Sequence, residues 1–423
     1  MNSMKLHSKK LENGLTIQAV EMSGTNVVTS LILVGAGSRN EEKNINGIAH
    51  FLEHMFFKGG GKYKTCSAVA STIDGLGAEF NAFTSEEIVG YYVKSAKKHV
   101  DTSLDVLSDM LIKARFPKKE IEKERGVILE EIAMYLDLPM QQIADDFTTL
   151  LFGDQPLGRS VLGPPEVIKS VTQKDFFDYK EALYVPENTV ITLAGAVGKE
   201  DISRVEKYFD FKPGIQTKKA SPFDSRFLEK KYSIREKQTE QYHISFGVLG
   251  LSEKDARYPV QQVLSTILGG NMSSRMFLNV REEKGLCYSI RTISGGYSDI
   301  GIFTTRAGVR LDKVLNAVEA IRTEYNAIAK NGTTEEELIK AKAFAQGRID
   351  LSTEDTEKVA FHYGSNTLLY TLQESFEEEK QKIAKVTKAE VDKLAKELLQ
   401  PEKYRFSGIG PKIDEEKLLR LIS

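Results

Sequence analysis

A chain of 423 residues is long for one hydrophobic core and points to two or more domains. With 41% hydrophobic and 28% charged residues and a net charge of −2, its make-up is that of an ordinary globular protein, and the balance argues against nucleic acid or an anionic membrane as the main partner. Cys66 and Cys287 have neither metal nor redox spacing, residues 1–14 carry charges and no apolar core, and no apolar run reaches membrane-spanning length, so a cytoplasmic protein is expected.

Residues 14–22 and 27–35 read as strands, the second apolar and β-branched. Residues 38–46 form a polar connection into an apolar stretch, Gly47 to Phe57, that contains His50-Phe51-Leu52-Glu53-His54. If this stretch is helical, His50 and His54 stand one turn apart on one face, and Glu53 borders the same spot. Two neutral nitrogen donors beside a non-ligand carboxylate that can take a proton from water are what a hydrolytic metal site needs. Burying the three side chains in an apolar helix without partners would be costly. The pattern H-x-x-E-H is recognised as the inverted zinc-peptidase motif.

Residues 65–76 read as a capped helix, 78–84 as a strand and 88–93 as its hairpin partner. An amphipathic helix over 100–113 precedes a long helix over 117–138, bounded by Pro117 and Pro139. A catalytic zinc site has three protein ligands, and this long helix holds the best candidates for the third. Glu124 and Glu131 are two turns apart on nearly one face, bordered by Ile121 and Ile128, whereas Glu130 lies about 100° away, towards solvent. Helices over 141–152 and 173–183 follow, then an apolar strand over 189–197 that could close the first sheet.

Residues 212–228, rich in Lys, Pro and Gly without periodicity, read as a linker between a domain over 1–211 and a second over 229–423. Beyond it the order loosely repeats: a strand over 242–249, a helix over 257–268 where the motif helix stood, strands over 286–294 and 301–307, helices over 312–330 and 334–351, and a strand over 404–410. The helix that takes the motif's place has no ligands, as expected after duplication and loss of one metal site.

The chain resembles the pitrilysin family of zinc metallopeptidases, which includes insulin-degrading enzyme and mitochondrial processing peptidase. The resemblance is carried by the motif at 50–54 and by the 76 residues that separate His54 from Glu131, the family's spacing to its glutamate ligand. It implies His50, His54 and Glu131 as ligands of one Zn²⁺ per chain, Glu53 as general base and Glu124 as a supporting glutamate behind the ligands. It implies an α+β fold of two homologous domains, each a mostly antiparallel sheet packed with helices, with no metal site in the second. Asn81-Ala82-Phe83-Thr84 resembles the family's edge strand beside the metal, which takes an extended peptide through main-chain hydrogen bonds. Arg281 and Tyr288, seven apart, resemble a pair that contacts substrate near the scissile bond, where a phenol donor can stabilise an oxyanion.

The function expected is that of a zinc endopeptidase acting on peptides or unfolded segments inside a closed chamber. The chain is about half the size of the four-domain relatives, so the resemblance implies a homodimer in which one chain's metal ligands face the other's Arg281 and Tyr288. No nucleic-acid or membrane partner is expected. Two rival readings are a protease dedicated to maturing one precursor and a non-catalytic assembly subunit. Members of the latter kind have lost ligands, whereas the three ligands and the base all stand in this sequence.

Overall fold

The computed structural model of the protein describes residues 4–228 and 230–422. These described residues form two compact α+β units, each assembled from three stretches of chain: 4–132, 160–221 and 351–375 in the first, and 133–159, 222–350 and 376–422 in the second.

The first unit is built on a six-stranded sheet: β1 (Lys5–Lys10), β2 (Thr16–Glu21), β3 (Val27–Val34), β4 (Glu79–Thr84), β5 (Val89–Ala96) and β6 (Thr189–Gly195), in the order β1-β2-β6-β3-β5-β4. Every pairing is antiparallel except β2 with β6. β6 does not close the sheet as expected from its place in the chain. It is inserted centrally, between β2 and β3, and all seven of its residues are buried. A strand apolar on both faces is stable only where both faces are covered, which excludes the edge. One face of the sheet carries the main core, with the motif helix Ile48–Phe56 and the helices Val100–Ile112 and Gln173–Leu183 packed into it.

The other face is covered by a helix from far along the chain, Thr356–Tyr370, which lies over β3, β6 and β2. Its contact is partly polar and fully paired: Gln18 Nε2 donates to Thr367 Oγ1 at 2.7 Å, Thr192 Oγ1 donates to Gln18 Oε1 at 3.0 Å, and the hydroxyls of Thr29 and Thr356 are 2.7 Å apart. Gly364 permits the close approach, since a Cβ there would lie 3.0 Å from Leu33 Cδ1 and 3.1 Å from Thr192 Oγ1.

The second unit repeats this plan with β7 (Tyr232–Glu236), β8 (Tyr242–Gly250), β9 (Cys287–Gly296), β10 (Gly301–Val309) and β11 (Arg405–Gly410), ordered β7-β11-β8-β10-β9. Only the β7–β11 pairing is parallel, as only β2–β6 is in the first sheet. β7, β11, β8, β10 and β9 therefore answer to β2, β6, β3, β5 and β4. Its core includes a ring cluster of Phe246, Tyr325 and Tyr404, with centroids 5.0 to 5.8 Å apart. The helix over β11 and β8 is Pro139–Phe152, which precedes the linker in sequence. Each unit thus covers one face of its sheet with a helix whose sequence belongs to the other half.

The two-domain α+β expectation holds. The sequence reading assigns no element between 352 and 403, where the structure has Thr356–Tyr370, Phe376–Lys385 and Lys388–Leu398. Thr356–Tyr370 has no clear amphipathic period, whereas the other two carry apolar stripes at helical spacing and Lys388–Leu398 opens with a capping box of Thr387 and Glu390, so periodicity hides only the first. Gly364→Leu should lower the melting temperature, with an overpacking cost of about 1–3 kcal/mol. The control is Gly347→Leu on the helix Glu335–Ser352, where a Cβ meets nothing within 4 Å. It should be neutral or stabilising, because leaving glycine gains up to about 1 kcal/mol of helix propensity.

Candidate metal centre

The motif helix begins at Gly47, whose φ of 96° only glycine adopts readily. Its first turn is capped by a buried carboxylate from the preceding connection. Glu41 accepts hydrogen bonds from the Gly47 and Ala49 amides at 2.7 and 2.8 Å, and from Asn46 Nδ2 at 2.7 Å. An anion at this end satisfies amides that have no partner within the helix and complements its dipole. Phe51, Leu52, Met55 and Phe56 then point into the core, with the Phe51 ring 4.8 Å from Phe176 and the Phe56 ring 5.3 Å from Tyr91. That apolar anchorage turns His50, Glu53 and His54 towards the opposite side.

The long helix Lys118–Asp137 meets them there. Ile121, Ile128 and Ile132 join the same core, and Arg125, 5.7 Å above the Phe51 ring, donates to the Ile168 and Val171 carbonyls. With the helix fixed in rotation, Glu124 and Glu131 face the histidines and Glu130 is exposed. Glu131 Oε2 lies 3.7 Å from His50 Nε2 and 3.6 Å from His54 Nε2. Glu124 Oε2 lies 3.4 Å from His54 Nδ1, and its other oxygen is 2.5 Å from Lys58 Nζ. His50 Nδ1 is buried without a hydrogen-bond partner.

The donor set suits a zinc ion. Two imidazoles and a carboxylate are its ordinary ligands, and tetrahedral bonds of about 2.0–2.2 Å put donors roughly 3.3–3.6 Å apart. Donor atoms of His50, His54 and Glu131 all lie within 4.8 Å of one another, the only such convergence of three His, Cys, Asp or Glu side chains among the described residues. Burial, reinforced by His54, pulls the His50 imidazole down from 6.5 to about 3, so it is neutral and keeps a free lone pair.

Glu53 accepts a hydrogen bond from the Thr84 hydroxyl at the end of β4. Burial raises its carboxyl above the ordinary range, against the smaller opposing effects of Thr84 and His54. A carboxylate made more basic in this way is better matched to exchanging protons with water near neutral pH. Thr84 ends the Asn81-Ala82-Phe83-Thr84 segment that resembles the family's edge strand, and its direction follows from strand alternation. That alternation turns Phe80, Ala82 and Thr84 to the motif helix, where the Phe80 ring is 5.8 Å from Phe57. Asn81 and Phe83 turn to the opposite face, and Phe83 meets Phe361 at 5.7 Å. β4 is an edge strand, and the Ala82 amide donates to its neighbour's side chain, Asn81 Oδ1, at 2.9 Å.

In the second unit the structure brings Arg281 and Tyr288 together. The guanidinium lies 4.4 Å from the Phe277 ring centroid and 5.8 Å from that of Tyr288, which is 76% exposed on the edge strand β9.

The burial of His50 makes a prediction about metal-free protein. The unfolded chain protonates this imidazole near pH 6.5 and the folded chain only near 3, so its contribution is fully present above 6.5 and is lost as pH falls towards 3. The loss is roughly 1.4 kcal/mol per pH unit within that window. Melting temperatures in chelator should therefore fall less steeply with acidification in His50→Gln than in the wild type.

Comparison with known proteins agrees with this architecture. A family model described as Insulinase (Peptidase family M16) matches residues 17–165, and one described as Peptidase M16 inactive domain matches residues 170–344. The chain is 34% identical over 402 residues to the uncharacterized zinc protease YmxG of Bacillus subtilis, covering 95% of each chain. It is 33% identical over 413 residues to an uncharacterized zinc protease of Streptomyces coelicolor, covering 96% of this chain and 90% of that one. Among solved structures, a protease from Helicobacter pylori superposes with a TM-score of 0.89 at 22% identity, over 97% of this chain and 100% of the other, which establishes the shared fold. No helix among the described residues is long and apolar enough to cross a membrane. With both halves matched and relatives aligned along nearly its whole length, the chain belongs to peptidase family M16, the insulinase family.

Proposed function

We propose that this protein is a zinc-dependent endopeptidase that cleaves peptides or unfolded segments. The observation that carries the reading is the meeting of His50 Nε2 and His54 Nε2 at Glu131 Oε2, 3.7 and 3.6 Å away, with Glu53 on the same helix beside them. A zinc ion bound there would supply Lewis-acid polarisation of a carbonyl and would acidify a water molecule. Glu53 takes a proton from the attacking water as its oxygen adds to the scissile carbonyl carbon. It then delivers that proton to the amide nitrogen as the carbon–nitrogen bond breaks, releasing an amine and a carboxylic acid, which ionise in water. Thr84 holds one oxygen of Glu53 through both steps.

The unpaired edge of β4 supports a substrate bound as an added strand along Asn81, Ala82 and Phe83, where Ala82 turns its main-chain groups to the open edge and its two neighbours pair with β5. That mode reads extension more than side chains and selects unfolded segments. The Phe83 side chain, packed against Phe361, supports the strand from its other face. Arg281 and Tyr288 are proposed to contact substrate, with the exposed Tyr288 phenol as the oxyanion donor. The presence of both histidines, the glutamate ligand and the base argues against a non-catalytic subunit.

His50→Ala, His54→Ala and Glu131→Gln should each lose zinc by elemental analysis. Glu53→Gln should keep it while turnover of a peptide library falls by about 10²–10⁴-fold. Full zinc occupancy in Glu131→Gln would remove that residue from the ligand set, and lost zinc in Glu53→Gln would make Glu53 a ligand.

The assembly proposed is a homodimer in which one chain supplies the metal ligands of a site and its partner supplies Arg281 and Tyr288. A Glu53→Gln chain and an Arg281→Ala/Tyr288→Phe chain, each inactive alone, should recover about half of wild-type activity as a purified mixed dimer, because one of the two sites collects all lesions. A mixed dimer that stays inactive, or a wild-type monomer that cleaves, would defeat this arrangement.

A further inference from the structure

Lys58 follows the motif helix and takes no part in the zinc pattern, yet its side chain turns back into the site. It is only 13% exposed, and its ammonium lies 2.5 Å from Glu124 Oε1. The Glu124 side chain is itself 6% exposed, so its charge cannot rely on water. A carboxylate at that depth is stable only with partners on both oxygens, and it has two: Lys58 on one side and His54 Nδ1, at 3.4 Å, on the other. The two histidines differ in this respect. His50 Nδ1 has no partner among the described residues, whereas His54 has its tautomer set by hydrogen bonding. With the proton on Nδ1 donated to Glu124, Nε2 keeps the lone pair that faces Glu131.

We infer that Lys58 is a positioning residue of the metal centre: acting through Glu124, it fixes the tautomer and ring orientation of His54 and so sustains zinc affinity. The inference rests on the zinc reading above. Without the ammonium, the buried carboxylate is relieved by turning towards solvent. That change takes the acceptor away from the His54 Nδ1 proton, and partners of this kind are worth about 10–100-fold in metal affinity.

The test measures zinc affinity of the full chain by competition with a chromophoric chelator, and records histidine ¹⁵N shifts of the metal-free protein. Lys58→Met should bind zinc about 10–100-fold more weakly than the wild type, with His54 a mixture of tautomers in place of one. Lys58→Arg, which keeps the charge, should restore most of the affinity. If Lys58→Met does not fold, the comparison of Glu124→Gln with Lys58→Met/Glu124→Gln decides, since neither strands a charged carboxylate. They should bind zinc equally within about twofold, because Lys58 acts only through Glu124. Unchanged or tighter binding by Lys58→Met, or a further loss in the double variant, would overturn the role of Lys58 and leave the zinc site standing. A wild-type chain that binds no zinc, or a Glu131→Gln chain that binds it fully, would instead overturn the zinc reading or its ligand set.

Discussion

A charged or polar group taken out of water must be paired, and the first unit is arranged around that constraint. Five ionisable side chains, His50, Glu53, His54, Glu124 and Glu131, are drawn together at the rim of an apolar core. Each would be costly there alone. Their mutual contacts, with Lys58 and Thr84 at the periphery, make the cluster tolerable and also leave lone pairs aimed at one point. Stability and chemistry come from the same geometry: the neutral state forced on His50 by burial is the state in which an imidazole can bind a metal.

Two helices and one strand must be held in register for this to work, and each is fixed by a different force. The motif helix is set in rotation by its aromatic and aliphatic face and in translation by the Glu41 cap on its first amides. The long helix is set by its isoleucines and by Arg125 hydrogen-bonded to backbone carbonyls. β4 is set by its ladder to β5, which brings Thr84 to Glu53. The strand that holds Glu53 therefore also offers a free sheet edge, so the proposed substrate docking and proton transfer would share one element.

The second unit shows what the scaffold is without the site. Its sheet follows the same pairing pattern, but the helix Tyr258–Ser265 and its continuation carry no histidine or carboxylate where the motif helix carries them. In both units the face of the sheet away from the main core would be open if each half used only its own sequence. The helices Pro139–Phe152 and Thr356–Tyr370 cover those faces by exchange. The exchange ties each unit's stability to residues from both halves of the chain.

The sequence by itself determined the local pattern of the site. The four-residue spacing of His50 and His54 and the seven-residue spacing of Glu124 and Glu131 define faces because the helical repeat is fixed by backbone geometry. Bounding prolines and alternating strands placed most elements of the first half for similar local reasons. Tertiary structure decided what no local period encodes. It decided that β6 lies at the centre of its sheet, because burial on both faces depends on what covers them. It decided which helix covers which sheet, because an apolar stripe does not name its partner. And it decided how Glu41, Lys58 and Thr84 join the site, because each does so through a hydrogen bond or ion pair to another segment of the chain. Such contacts depend on where folded segments meet, and sequence distance carries no record of that.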